Sequence, residues 1–224
     1  MMLDFGFYNM DCMEGMKQFP DKYFDLAVVD PPYGKANGEF KAKGETRFGG
    51  RFDKYVERTG GTWAAKYGTK IVNWDTAPSQ EYFDELNRVS KNQIIWGGNY
   101  FPLPATRCFL VWRKTNVPPK FTMAMAEYAW TSFNANAKVF DYSAVGQEGR
   151  FHPTQKPVAL YKWILQNYAQ EGDKILDTHV GSASSLIACY DLGFDYVGFE
   201  IDEEYYNKAK QRLEEEMAQT RWRF

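Results

Sequence analysis

Asp30, Pro31, Pro32 and Tyr33 follow the apolar run FDLAVV, so a carboxylate, a rigid turn and an aromatic ring lie within four residues. The run from Leu26 to Val29 reads as a buried strand of an α/β sheet, and such sheets bind ligands in the crevice beyond the carboxyl ends of their strands. Asp30 then stands at that crevice. Each proline fixes its own φ, and Pro32 also restricts Pro31, so the chain leaves the sheet on a stiff, extended path that can aim a backbone carbonyl. This set suits chemistry on the exocyclic amino group of a nucleobase. The lone pair of that nitrogen is delocalised into the ring, which makes it a poor nucleophile. A carboxylate and a carbonyl accepting its two N–H hydrogens localise density on nitrogen, and a flat ring holds the base by stacking. Asp30, the Pro31 carbonyl and Tyr33 match those needs. The target atom is out of reach inside a duplex, so the base must be flipped out or already unpaired. Taken alone, the tetrapeptide also fits a plain turn after a strand, with Asp30 capping and Tyr33 packing.

The elements that position these residues come from a chain of 224 residues with 44% hydrophobic, 25% charged and 17% aromatic residues. That length and balance suit one large α/β domain, and the aromatic share leaves rings free to stack on bases. No apolar run is long enough to cross a bilayer, and the N-terminus MMLDFGFYNMD lacks the pattern of a signal peptide, so a cytoplasmic protein with no membrane partner is expected. Cys12, Cys108 and Cys189 are far apart and only two histidines are present, which indicates neither a disulfide framework nor a zinc site. A metal-free mechanism follows. The net charge of −2 hides a local surplus: between Gly34 and Lys70 nine basic residues face four acidic ones. Within that stretch Lys35, Lys41, Lys43, Arg47 and Arg51, interleaved with Phe40, Phe48 and Phe52, are candidate contacts to phosphates and bases of a nucleic acid. A solvated loop is the alternative.

Along the chain, strands are expected at Phe5–Tyr8, up to Asp30, at Gln93–Trp96, at Cys108–Trp112 and at Glu127–Phe133. Helices are expected over Cys12–Phe19, capped by Asp11, and over Gln80–Val89, capped by Ser79. Asn134–Gly149 reads as a polar loop. The last third is a βαβ pattern: strand Lys174–Asp177, helix Ser184–Leu192, strand Tyr196–Glu200, and helix Glu203–Gln219 capped by Asp202, with Tyr206, Ala209, Leu213 and Met217 inward. The turn DTHVGSASS lets backbone approach a ligand at a helix N-terminus, and Glu200 ends the second strand where an acid can accept bonds from two ribose hydroxyls. Together they point to a nucleoside cofactor. Ahead of the unit, His152–Pro157 (HPTQKP) leads into a helix over Val158–Ala169, with Pro157 in its first turn and Thr154–Lys156 at its positive end, where a carboxylate could sit.

These segments, and above all their order with DPPY ahead of the cofactor motifs, resemble the β class of amino-group DNA methyltransferases across nearly the whole chain. The motifs are DPPY after FDLAVV, NMDCMEGM, HPTQKP, DTHVGSASS and GFEIDEEYY. The resemblance implies an α/β, Rossmann-like methyltransferase fold: a mostly parallel seven-stranded sheet with one reversed strand and helices on both faces. It implies a single circularly permuted domain over 1–224, with a basic insertion at 34–73 and a small target-recognition region at 114–151. The cofactor implied is S-adenosyl-L-methionine, and the nucleic acid implied is double-stranded DNA. Asp30, Pro31, Pro32 and Tyr33 would be catalytic, Asp11 would contact the cofactor adenine and Glu200 its ribose. Asp177, Gly181 and Ser182 would border the methionine portion, and His152, Thr154 and Lys156 would fix its carboxylate. Thr178, His179 and Ala183 depart from the family's usual proline, phenylalanine and glycine. Aspartate in the first catalytic position favours adenine N6 over cytosine N4. A catalytically idle DNA-binding module on the same fold is the reading from another class. The recognition regions are short, so a short site or help from a second subunit, a homodimer, is expected.

Overall fold

The FDLAVV run forms β2 (Phe24–Val29), whose last four residues are all buried because helices cover both of its faces. In the computed structural model, residues 2–34, 76–117, 124–144, 151–152 and 154–219 are described. The candidate DNA contacts Lys35, Lys41, Lys43, Arg47 and Arg51 lie outside them. Before β2 come β1 (Gly6–Asn9) and α1 (Cys12–Met16), and after it α2 (Gln80–Val89) and β3 (Ser90–Trp96). The chain continues through β4 (Phe109–Lys114), β5 (Ala126–Thr131), β6 (Lys138–Tyr142) and α3 (Val158–Tyr168). It closes with β7 (Lys174–Asp177), α4 (Ser184–Leu192), β8 (Asp195–Glu200) and α5 (Glu203–Ala218).

The strand order is β1-β8-β7-β2-β3-β5-β4-β6. Every pairing is parallel except those of β5, which runs against both β3 and β4, so β5 is the single reversed strand. The sheet has eight strands among the described residues where seven are expected, and β6 is the addition. It lies inside the stretch expected to be a polar loop. Sheet residues alternate between two cores: Ala27, Val29 and Ile95 pack with Met16 of α1 and Tyr82, Phe83 and Leu86 of α2. Leu26, Val28, Ile94 and Trp96 pack with Leu160 and Ile164 of α3 and Ala188 of α4. This period of two is what a strand buried on both faces produces.

The order in which strands are added to the sheet reverses between the parallel neighbours β7 and β2. From β7 the sheet grows outward to β8 and β1, and from β2 outward to β3. That is a topological switch point, where a crevice opens at the carboxyl ends. Asp30 leaves β2 and Asp177 ends β7 at this one place. Three local expectations are corrected. Ser79 stands at the N-cap of α2 but its side chain makes no cap bond. Pro157 is the N-cap of α3, not a first-turn residue, with extended backbone at ψ 141°. In α5 it is Tyr205, with Ala209 and Leu213, that is buried, while Tyr206 stays partly exposed and packs on Phe7 at 4.6 Å. Asp202 caps α5 as expected, accepting from the backbone N–H groups of Glu204 and Tyr205.

Candidate active site

Among the described residues, Asp30 bonds two side chains. The Tyr33 hydroxyl donates to Oδ1 at 2.6 Å, and the Lys156 ammonium forms an ion pair with Oδ2. Lys156 is 3% exposed and reaches this point from the segment just before α3. It also pairs with Glu127 at 3.3 Å, and Glu127 pairs with Lys114 at 2.6 Å. Two carboxylates and two ammoniums therefore alternate along a chain from the end of β2 to β4 and β5. Burial alone would raise the Glu127 carboxyl, but the ammoniums of Lys156 and Lys114 outweigh it and hold it down at about 2. For Lys156, burial works to lower the ammonium, and the charges of Asp30 and Glu127 prevail and raise it. Lys156 is expected by resemblance to fix a cofactor carboxylate. The structure instead turns its ammonium toward Asp30.

Tyr33 is less exposed than a bare platform would be. Its ring stacks on Tyr100 with centroids 5.0 Å apart at 24°, and its edge meets Phe101. It also presses on Gly97, where φ is +69° and an added Cβ would fall 2.1 Å from the ring. No side chain fits there. The two requirements compound: the left-handed backbone disfavours any Cβ, and the ring blocks the space one would fill. Gly97→Ala is expected to destabilise the fold by about 2–4 kcal/mol and to push Tyr33 from its place. Urea unfolding checks it; a neutral substitution would contradict this packing.

The second half of the crevice is acidic. Asp177 is 2% exposed, takes a bond from the Ser185 hydroxyl at 2.5 Å and another from the His179 N–H at 3.0 Å. Burial pushes its carboxyl up to about 7 despite those two donors. Glu200, at the end of β8, accepts from the Gly181 N–H at 2.9 Å and from the Asp202 N–H at 2.9 Å, one bond on each oxygen. Each oxygen keeps a further lone pair for a ligand. Gly181 adopts φ +56°, and the His152 ring lies against it, 3.2 Å from where a Cβ would stand. The Thr154 hydroxyl bonds Nδ1 of that imidazole at 3.2 Å, and Tyr205 meets its ring edge-on at 4.5 Å. HPTQKP and the glycine turn thus meet, although Lys156 points elsewhere. Asp11 caps α1 through Oδ1, accepting from the N–H groups of Met13 and Glu14, and stands beside Glu200 because β1 pairs with β8. Ser182 is buried, with its hydroxyl 3.2 Å from that of Ser184.

The three departures in the glycine turn have visible accommodations. Thr178 bonds the buried Tyr82 hydroxyl at 2.6 Å and the His179 ring at 2.9 Å, which joins the turn to α2. Burial lowers His179 to about 4, so its ring is neutral at pH 7. Ala183 sits at φ +63° and is fully buried. Its left-handed backbone costs about 1–2 kcal/mol, while the buried methyl and the stiffer unfolded chain each return about 0.5–1 kcal/mol. Ala183→Gly is therefore expected to shift stability by less than about 1 kcal/mol, a near-null result that thermal melting can read.

Four residues of this site carry no sequence signal that names them. Glu127 is a charge inside a strand-like run. Gly97 stands in WGGNYF, a segment noted without a role. Arg212 reaches from α5 to donate to the Ser182 carbonyl at 2.6 Å and the Ser184 hydroxyl at 3.0 Å, bracing the turn from behind. Tyr161 of α3 is buried between the two halves, and burial first, then the charges of Asp30, Asp177 and Glu127, push its phenol well above the usual range.

Among the described residues no group of three or more His, Cys, Asp or Glu could hold a metal ion, and no helix is long and apolar enough to cross a membrane. A family model described as DNA methylase matches residues 106–211. The Type II methyltransferase M.HpaI of Haemophilus parainfluenzae is 27% identical over 239 residues, covering 92% of this chain and 73% of that protein. The M1.HpyAVI–SAM complex superposes with a TM-score of 0.57 at 20% identity, over 92% of this chain and 98% of that one. The cytosine-N4-specific PvuII DNA methyltransferase gives 0.56 at 14% identity, over 96% and 91%.

Proposed function

We propose that this chain, which belongs to the N6/N4 amino-group DNA methyltransferase family, transfers a methyl group from S-adenosylmethionine to the N6 amino group of a flipped-out adenine in DNA. The observation that carries the reading is the meeting of Asp30 and Tyr33 with the acidic nucleoside crevice of Asp177 and Glu200 at one switch point of the sheet. Aspartate rather than serine as the first residue of the catalytic motif supports adenine over cytosine.

The crevice fits the cofactor in charge and form. Glu200 is pinned by two backbone N–H groups with lone pairs left over for ribose hydroxyls, and Gly181 gives a close backbone approach under His152. A pocket bordered by two carboxylates favours a cationic ligand. When bound, S-adenosylmethionine supplies an electrophilic methyl on sulfur. The chain's own groups do the rest. Tyr33 holds the base by its face. Asp30 still has a lone pair on each oxygen beyond those taken by Tyr33 and Lys156, and one of them accepts an N–H of the base. The Pro31 carbonyl accepts the other. With both N–H groups held, the amino nitrogen presents its lone pair to the methyl that the cofactor would supply, and its proton then leaves to solvent. Because Asp30 is neutralised by Lys156, it orients and polarises more than it deprotonates. Aligning two bound reactants in this way can remove roughly 7–11 kcal/mol of barrier.

Incorporation of labelled methyl from the cofactor into DNA tests the reading, with Asp30→Asn as the control; equal incorporation by both proteins would refute it. A pH prediction goes with it. A cationic ligand prefers ionised Asp177, whose carboxyl is raised to about 7, so affinity weakens as pH falls through that value. Cofactor Kd is expected to rise about tenfold or more between pH 8 and pH 5.5, and Asp177→Asn to flatten the profile. Calorimetric titration at both pH values checks it.

A further inference from the structure

We propose that Glu127 is a positioning residue for methyl transfer: it holds Lys156 at Asp30 and keeps the cluster of Asp30, Lys156, Glu127 and Lys114 electrically neutral beside the reacting nitrogen. The inference rests on the methyltransferase reading above.

The geometry gives Glu127 two jobs at once. Its Oε2 faces Lys156 and its Oε1 faces Lys114, so one carboxylate stands between two ammoniums. Its place is set by β5, the reversed strand, where Glu127 pairs in register with Trp112 of β4. Lys156 is also pinned by the Trp96 ring, 5.3 Å beneath its ammonium. The ammonium has little room and no bulk water, so its charge is divided between Asp30 and Glu127. Without Glu127 that charge falls wholly on Asp30 and weakens it as an acceptor. The reaction makes this balance matter. As the methyl moves, positive charge passes from sulfur to the base nitrogen, and Asp30 is the group that faces that nitrogen. A neutral cluster leaves the developing charge unopposed, whereas a net positive one opposes it.

Glu127→Gln keeps the size of the side chain and makes the cluster net positive. It is expected to lower kcat about tenfold, the effect of one unbalanced charge a few ångströms from a partial one, with cofactor Kd and the KM for DNA within about twofold of wild type. Adding Lys114→Gln restores neutrality, and the double variant is expected to recover kcat to within about threefold of wild type. Melting is recorded for all three proteins. Wild-type kcat in Glu127→Gln would overturn the proposal, and so would a double variant that remains tenfold impaired. If the single variant does not fold, the double variant, whose two amides can bond each other, decides alone by the same threshold. A wild-type protein that transfers no methyl to DNA would instead refute the methyltransferase reading, a result distinct from either of these.

Discussion

Replacing Asp30 with asparagine is expected to lower methyl transfer about a hundred- to a thousandfold while leaving cofactor affinity within about threefold, since a single preorganised polar group at a reacting centre commonly contributes that much. Asparagine preserves shape but removes the charge that polarises the amino group, and it turns either a weaker acceptor or a donor toward the base. Alanine is a poorer test. It would leave the Lys156 ammonium, 3% exposed, with Glu127 as its one remaining counter-charge among the described residues, and so mix a folding defect with a catalytic one. Single-turnover methylation separates the step from binding, and calorimetry on the same protein reports the cofactor. Loss of cofactor affinity in step with activity would mean that Asp30 holds the cofactor and not the base.

The second large effect is expected at Lys156. Lys156→Met leaves Asp30 and Glu127 as neighbouring carboxylates with their shared counter-ion gone, a loss of about 3–5 kcal/mol, or about 10 °C in melting temperature for a domain of this size. A pH dependence that the wild type lacks between pH 7.5 and pH 5.5 should appear with it. In the wild type the Glu127 carboxyl is held down at about 2, so its contribution is fully present above its ordinary range near 4.5 and is lost as pH falls toward 2. In Lys156→Met the Glu127 carboxylate keeps Lys114 but loses the ammonium that separates it from Asp30, and its proton uptake relieves the repulsion. The variant's melting temperature should rise between pH 7.5 and pH 5.5, where the wild type gains nothing from these groups. Cofactor affinity distinguishes the two roles of Lys156: a cofactor-carboxylate partner would lose affinity sharply on substitution, whereas a partner of Asp30 would not.

The βαβ half of the chain was legible because its signals are local. Strand β7 is an apolar run ended by Asp177, α4 spans Ser184–Leu192 as its pattern demands, and Asp202 caps α5 with its own carboxylate. The DPPY turn was legible for the same reason. Strand β6 was not. It lies at the sheet edge beside β4 alone, and four of its five residues, Lys138, Val139, Asp141 and Tyr142, are exposed, so no buried face marks it in the sequence. The stretch 114–151 therefore contributes β5 to the interior of the sheet and β6 to its edge.

Side-chain direction was the other gap. HPTQKP announces a polar approach to a helix, but nothing local tells that His152 turns to Gly181 while Lys156, four residues later, turns to Asp30. The partner that decides it, Glu127, comes from a strand reached only through the fold. Gly97 is similar: its need for a bare Cα arises from Tyr33, sixty-odd residues earlier in the chain, and shows only once β2 and β3 pair.

The most direct test of the central claim is the identity of the methylated nucleoside. DNA from cells expressing the wild-type protein, and from cells expressing Asp30→Asn, is digested to nucleosides and resolved by mass spectrometry. N6-methyladenine in the first and its near absence in the second is the predicted result; N4-methylcytosine, or no difference between the two, would contradict it.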